Sequence, residues 1–397
     1  MEKTFSDTPL EKELKGYVDV LTSVGPDRFV GSRGHKASFA LIRRLLRSWG
    51  LEVTVQPFTV DMTVPARWSF QVDLGKGFET VDCMPGIGSP SVKNLVADIV
   101  PVGHAREEDY DSLEGIAGKA HLARLWKSHE TAKVAEAAIK GASSLIWYND
   151  YIDELYSGAC DYSLAPIPGI SIRKSMAERI LEAGGGRIRL SLKSRRKKIR
   201  CRNIEAARPG TGSPYALLAS HYDSRPRTPG ASDDASGVAA MLAFIRNGCD
   251  SEASLPVRYL FADCEEEGCI GAEAYADLLY RSNRLREVGA MVNLDAVGWP
   301  NLCFIVRDRM AVMDEQLTGL AVQVFEDMGY HADKVRSKSG KSNHTPFAAR
   351  GVRTVWYSDY PNYIRHSAID NAFNIDYPTI AMVTRGLQRF FSRMGHP

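Results

Sequence analysis

The sequence predicts an α/β protein: a mixed, mainly parallel sheet sandwiched by helices, with a smaller α+β domain inserted into it. Three observations carry this. From Lys198 to the end, apolar runs of strand length alternate with helix-length segments over short connections, the pattern of parallel strands covered on both faces. The opening, helix then strand up to residue 58, has the same character. Between them lies a stretch of short strand-like pieces broken by Gly, Pro and Asp. At 397 residues the chain is too long for one small core, and two domains are expected. One is discontinuous, 1–60 and 196–397; the other is the insert, 61–195.

Taken in order, residues 10–24 form a first helix, broken by Gly25-Pro26. Phe39, Ile42, Leu46 and Trp49 then recur at helical spacing, and Gly50 ends the segment. Residues 52–58 alternate as a strand should. Within the insert, strands are expected at 68–74, 94–100, 119–125 and 142–148, with helices at 131–140 and from 172 through Glu182. His104, His121 and His129 are scattered there and read as surface residues. The basic run 194–200 has no interleaved aromatics, so it reads as a solvated linker or edge strand. Later strands are expected at 215–220, 257–262, 290–294, 302–306 and 352–357. Helices are expected at 235–246, 271–280, 312–328 and 377–392.

Composition removes several function classes. Lys and Arg number 50 against 48 Asp and Glu, a net charge of +2, so no global field draws the chain to nucleic acid or to a membrane. No stretch reaches the roughly 18 apolar residues of a membrane span. The opening residues are charged, without the apolar core of a signal peptide. Seven cysteines, an odd number without a CxxC pair, argue for a reducing compartment. The expected location is cytoplasmic, and self-association is left open.

The chemistry gathers around 217–237. A buried strand ends in His221-Tyr222-Asp223; a Gly/Pro loop follows, and Asp233-Asp234 stand at the mouth of an apolar helix, with Ser236 as its expected cap. Glu265-Glu266-Glu267 follow the strand 257–262, Asp295 ends 290–294, and His366 comes shortly after 352–357. Each lies just past the carboxyl end of a strand, and in a parallel sheet those ends share one edge. Singly, each has a plainer reading: a helix cap, a solvent-facing acid, an ordinary histidine. Together, acids and imidazoles at one buried edge repel unless cations neutralise them. Two imidazoles with several carboxylates and no thiolate set suit zinc, with manganese or cobalt compatible. If one Asp bridges two divalent ions, three carboxylates and a bridging hydroxide close the charge at zero. A spare acid, Glu265 or Glu266, is then the expected general base.

The set His221-x-Asp223, Asp233-Asp234 with Ala-Ser-Gly, Glu265-Glu266-x-Gly-x-x-Gly271, Asn293-Leu294-Asp295 and His366 resembles peptidase family M28, whose members use paired zinc ions. The resemblance covers about 200–397 and the opening at 36–58. It implies that His221 and Asp295 bind one zinc, Glu266 and His366 the other, and that Asp233 bridges. Glu265 would be the base and Asp223 would orient a ligand, with Asp233–Asp234 a cis peptide. The run Ile167-Pro168-Gly169-Ile170-Ser171-Ile172 resembles a protease-associated domain, which implies a wall or lid for the insert. Two departures stand out. Arg365 precedes the last His where many relatives have Tyr, so Arg365 or Tyr363 is expected to meet the oxyanion or a substrate carboxylate. Asn343 replaces an acid in Ser342-Asn343-His344, so His344 is not assigned to metal.

The expected activity is a dizinc metallo-exopeptidase, an aminopeptidase removing amino-terminal residues from peptide substrates. The alternatives are a carboxypeptidase, for which Arg28 or Arg365 would hold the terminal carboxylate, a one-zinc glutaminyl cyclase, or a non-catalytic interaction protein.

Overall fold

The computed structural model describes residues 8–160, 165–337 and 340–395. Residues 1–7, part of the opening read as lacking a signal peptide, lie outside them. Two compact units are present. One comprises Met1–Phe58, Arg200–Arg365 and Ile369–Pro397, the other Thr59–Ile199 with His366–Ala368.

The chain opens with α1 (Pro9–Ser23), entered through a reciprocal cap in which the Thr8 hydroxyl accepts from Glu11 N and the Glu11 carboxylate accepts from Thr8 N. Next, α2 (Arg33–Ser48) is capped by Ser32, and β1 (Glu52–Asp73) follows. Two separate strands were expected there; one continuous strand of 22 residues is found. Pro57 and Pro65 fit within it because extended backbone suits proline wherever no ladder N–H is needed.

The second unit holds β2 (Phe78–Thr80), β3 (Cys83–Pro85), β4 (Val92–Pro101), β5 (Ala120–Arg124), α3 (Glu130–Ile139), β6 (Ser144–Tyr148), β7 (Gly169–Ile172) and α4 (Lys174–Glu182). β4, β5, β6 and β7 pair in parallel, and β3 closes antiparallel on β7. Ile99, Leu122, Ile146, Ile170 and Ile180 form its core. The histidines differ from expectation. His121 is fully buried between the Tyr110 hydroxyl and the Ile116 carbonyl, and His104 is buried as well. Burial pushes both pKa values down, and His121 is a core histidine with both ring nitrogens hydrogen-bonded. The basic run lies inside β8 (Arg187–Ala207), a long strand that contains the unit boundary.

The first unit continues with β9 (Tyr215–His221), α5 (Gly237–Arg246), β10 (Val257–Ala262), α6 (Ile270–Arg281), β11 (Val288–Leu294), β12 (Leu302–Arg307), α7 (Glu315–Asp327), β13 (Asp333–Arg336), α8 (Thr345–Ala348), β14 (Thr354–Asp359) and α9 (Tyr377–Arg393). Its strand order is β13-β12-β14-β11-β9-β10-β8. β9 is central, parallel to β10 on one side and β11 on the other, and β14 lies parallel beyond β11. Only the β12–β14 and β10–β8 pairs are antiparallel. All seven residues of β9 are buried, because helices cover both faces. Ala216 and Leu218 pack with α1, α2, α5 and α9, whereas Tyr215, Leu217 and Ala219 pack with α6. Among the described residues no helix is long and apolar enough to cross a membrane.

The core under α5 sets the stability of this unit. Phe244 is fully buried, 6.4 Å from the ring of Tyr259 and 5.5 Å from that of Phe391. Phe244→Ala should cost about 3–5 kcal/mol in urea unfolding; a loss below about 1 kcal/mol would show that these rings do not form the core.

Candidate metal centre

Strand register gathers the candidate residues. Ala262, the last residue of β10, pairs with His221, the last of β9, while Asn293 of β11 pairs with Ala219. Three parallel strands therefore end side by side, and the residues just beyond them are Asp223, Glu265, Glu266 and Asp295. Cys264 and Ala296, flanking the acids, and His366 itself adopt φ near +58°. Such left-handed conformations cost of order 1 kcal/mol for residues with a Cβ, so surrounding bonds must hold them.

Two groups of ligand atoms result. His221, Asp233 and Asp295 each place one within 4.8 Å of the others, and so do Asp233, Glu266 and His366. Asp233 belongs to both. His221 Nε2 lies 3.0 Å from an Asp233 oxygen and 3.9 Å from oxygens of Glu265 and Asp295. All of these side chains are buried. Asp223 stands beside them, 3.5 Å from His221 Nδ1, and accepts the backbone N–H groups of Glu265 and Glu266 at 3.1 and 3.2 Å. It thereby fixes the backbone of Glu265 and Glu266 from behind.

Several groups that hold this arrangement carry no sequence signal of their own. Asp234, joined to Asp233 by a cis peptide, accepts from Ser220 Oγ, His221 N, Gly237 N and Ala296 N. This explains Gly237 in the Asp-Asp-Ala-Ser-Gly run: a Cβ there would stand 2.5 Å from an Asp234 oxygen. Likewise a Cβ on Gly271 would fall 2.0 Å from the Asp263 carbonyl. Asp370 accepts Ser232 N and Asp233 N. Arg28 is buried, and its guanidinium donates to the carbonyls of Tyr222, Pro229 and Gly230. It is spent on the loop, which removes it as a holder of a substrate carboxylate. Ser236 does not cap α5 with its side chain, as had been expected; its hydroxyl donates to Ser232 O at 2.6 Å. Arg365 is half-buried, with its backbone N–H on Asn362 Oδ1 at 3.3 Å. His344 lies in neither group. It is fully buried, its Nε2 2.9 Å from Asp308 and its ring 4.6 Å from Trp356.

Electrostatics tests whether these residues suit a metal. Buried carboxylates outnumber buried cations at this edge. Burial, with Asp295 and other acids nearby, holds the Glu265 carboxyl well above its usual range, and burial does the same to Asp234. Burial alone would lower His221, but Glu265, Asp223, Asp233 and Asp295 outweigh it and raise its pKa well above the ordinary imidazole value. Asp223 is the exception: burial raises it, yet His221 and the backbone donors bring it below the usual carboxylate range. Arg225 forms an ion pair with Glu266 at 2.8 Å and lies 3.6 Å from Glu267, adding one cation and one acid together. An imidazole and two carboxylates in each group are a donor set that fits a divalent ion.

Protons and metal should therefore compete. His221, Glu265 and Asp234 bind protons more tightly in the fold than in the unfolded chain, so metal-free stability falls as pH rises through their raised values. Asp223 acts oppositely, contributing stability that is lost as pH falls through its lowered value. Zinc titrated into metal-free protein near neutrality should release protons, with affinity rising by up to about tenfold per pH unit for each proton displaced. Calorimetry in buffers of different ionisation enthalpy reads this directly, and pH-independent zinc affinity would contradict it.

Residues 203–390 match the model of peptidase family M28. The aminopeptidase YwaD of Bacillus subtilis is 24% identical over 338 residues, 83% of this chain and 71% of that protein. A probable lipoprotein aminopeptidase, LpqL, of Mycobacterium tuberculosis is 26% identical over 306 residues, 73% of this chain but 59% of that protein. In three dimensions, BSAP, a zinc aminopeptidase from Bacillus subtilis, superposes with a TM-score of 0.74 at 21% identity, covering 99% of this chain and 98% of that one. The likeness to peptidase family M28 thus spans residues 203–390 of the chain.

Proposed function

We propose that this protein is a metallo-aminopeptidase that hydrolyses the first peptide bond of substrates with a free amino terminus. The observation that carries the reading is the sharing of Asp233 by two groups of candidate ligand atoms. On it, His221 and Asp295 would hold one zinc ion, Glu266 and His366 the other, with Asp233 common to both; manganese or cobalt would suit the same donors. Bound there, two divalent ions would acidify a water and polarise the scissile carbonyl.

The protein's own groups do the rest. Glu265, kept basic by burial and neighbouring acids, takes a proton from the attacking water and returns it to the leaving amine. Asp223 holds the backbone of Glu265 and Glu266, so base and ligand keep their separation. Arg365, or Tyr363 two residues earlier, is assigned to the oxyanion or to a substrate carboxylate. Relatives named aminopeptidases support the choice of terminus, and the engagement of Arg28 with loop carbonyls weakens the carboxypeptidase alternative. Residues 61–195 are read as a protease-associated-like module. The seven cysteines, odd in number and without a CxxC pair, support a reducing compartment.

Aminoacyl-anilides should be cleaved and amino-terminally blocked peptides left intact, with activity lost to chelator and restored by zinc. Glu265→Gln should lower kcat by about 10²–10⁴-fold with zinc content unchanged. Normal turnover in that variant would remove Glu265 from the base role. One zinc per chain with release of ammonia from amino-terminal glutamine would replace the peptidase reading with a cyclase.

A further inference from the structure

A second candidate site lies on the flank of α2. Lys36, Ala40, Arg43, Arg44 and Arg47 follow the spacing of a single helix face. With Phe39 and Arg202 of β8 they line a cavity of about 600 Å³. The helix Arg33–Ser48 contains no acidic residue, so its cations have no partner one turn away. Among the described residues, none of these five cations forms an ion pair. Arg43 and Arg47, one turn apart, repel each other, an arrangement that disfavours the helix unless a counter-charge sits between them.

The floor adds a second indication. The Arg202 guanidinium stacks on Phe39, 3.9 Å from the ring centre, and Arg43 lies 5.7 Å from the same ring. The Arg202 Nε is covered from solvent, yet no acceptor in the protein reaches it. A buried N–H without an acceptor is costly, and a bound anion would supply one. Ala40, the one small residue on this face, leaves the concavity open between the cations. A solvated basic surface explains the exposed Lys36, Arg44 and Arg47 but not the stacked pair or the orphaned Nε.

We propose that this groove binds a small anion carrying two phosphate groups, clamped by Lys36, Arg43, Arg44 and Arg47 and met at its floor by Arg202. Guanidinium forks suit phosphate oxygens, and two phosphates spread the charge along the helix face. Free bisphosphate metabolites and the bisphosphorylated inositol headgroup of a lipid share this chemistry.

The test is calorimetric titration of fructose 1,6-bisphosphate into the zinc-loaded protein, and in parallel binding to phosphatidylcholine vesicles containing about 5 mol % phosphatidylinositol 4,5-bisphosphate. Saturable one-to-one binding of the bisphosphate is expected. Arg44→Gln with Arg47→Gln, both exposed, should weaken it by about tenfold or more. Arg286→Gln, an exposed arginine outside the groove, should leave it unchanged. Vesicle binding alone with the same sensitivity would support the site and assign it to a lipid headgroup. Bisphosphate binding indifferent to the double variant would place the anion elsewhere, at the metal ligands for instance, and overturn the proposal. So would binding of an oligonucleotide when bisphosphate and vesicles both fail.

Discussion

The carboxylate of Asp234 accepts from the side chain of Ser220, the backbone of His221, the first residue of α5 and the residue after Asp295. It thus ties the end of β9, the start of α5 and the end of β11 to one point, while contributing no atom to either ligand group. Leaving a buried donor without an acceptor costs more than the small net gain of an ordinary hydrogen bond. The positions of His221, Asp233 and Asp295 all follow from where Asp234 sits. Its own burial is the complement of this role, since a carboxylate so enclosed is stable only when donors surround it.

Around that brace, charge is distributed with little slack. Acids crowd one sheet edge; the protein answers with Arg28, turned onto backbone carbonyls, and Arg225, paired with Glu266 and Glu267. The atoms that face one another across the two ligand groups lie at this same edge. The unit provides rigidity through neutral backbone donors and leaves its electrostatic deficit where a cation can enter.

Much of this was legible in the sequence for physical reasons. Parallel strands buried on both faces read as apolar runs, so β9, β10, β11 and β14 were visible, and their shared carboxyl edge followed from topology. The acids and imidazoles just past those ends announced themselves because charge beside an apolar run is expensive. The braces did not. Arg28 lies far from the loop it clamps, and nothing local distinguishes it from a surface arginine. Asp370 and Asp263 are single acids whose importance depends on which backbone N–H groups come within reach. His121 looked like a surface residue because its two partners, Tyr110 and Ile116, are meaningful only once β5 is folded against them. Pattern reveals what repeats or clusters; it is silent on a lone polar side chain that completes someone else's hydrogen-bonding.

Asp263 shows where such a lone residue leads. Its carboxylate accepts the Tyr222 hydroxyl at 2.8 Å and Arg202 N at 2.6 Å and meets His35 Nε2 at 2.7 Å. Gly31 N donates to His35 Nδ1, which leaves Nε2 as the hydrogen-bearing nitrogen toward Asp263. Tyr222 sits between His221 and Asp223, and Asp263 precedes Glu265 by two residues. A helix close to the amino terminus is thereby spliced into the same polar circuit as two loops drawn from the middle of the chain. The early segment is then no detachable preface to the later domain: trimming it away would leave a tyrosine hydroxyl and a buried aspartate to find new company at the threshold of the candidate ligand groups.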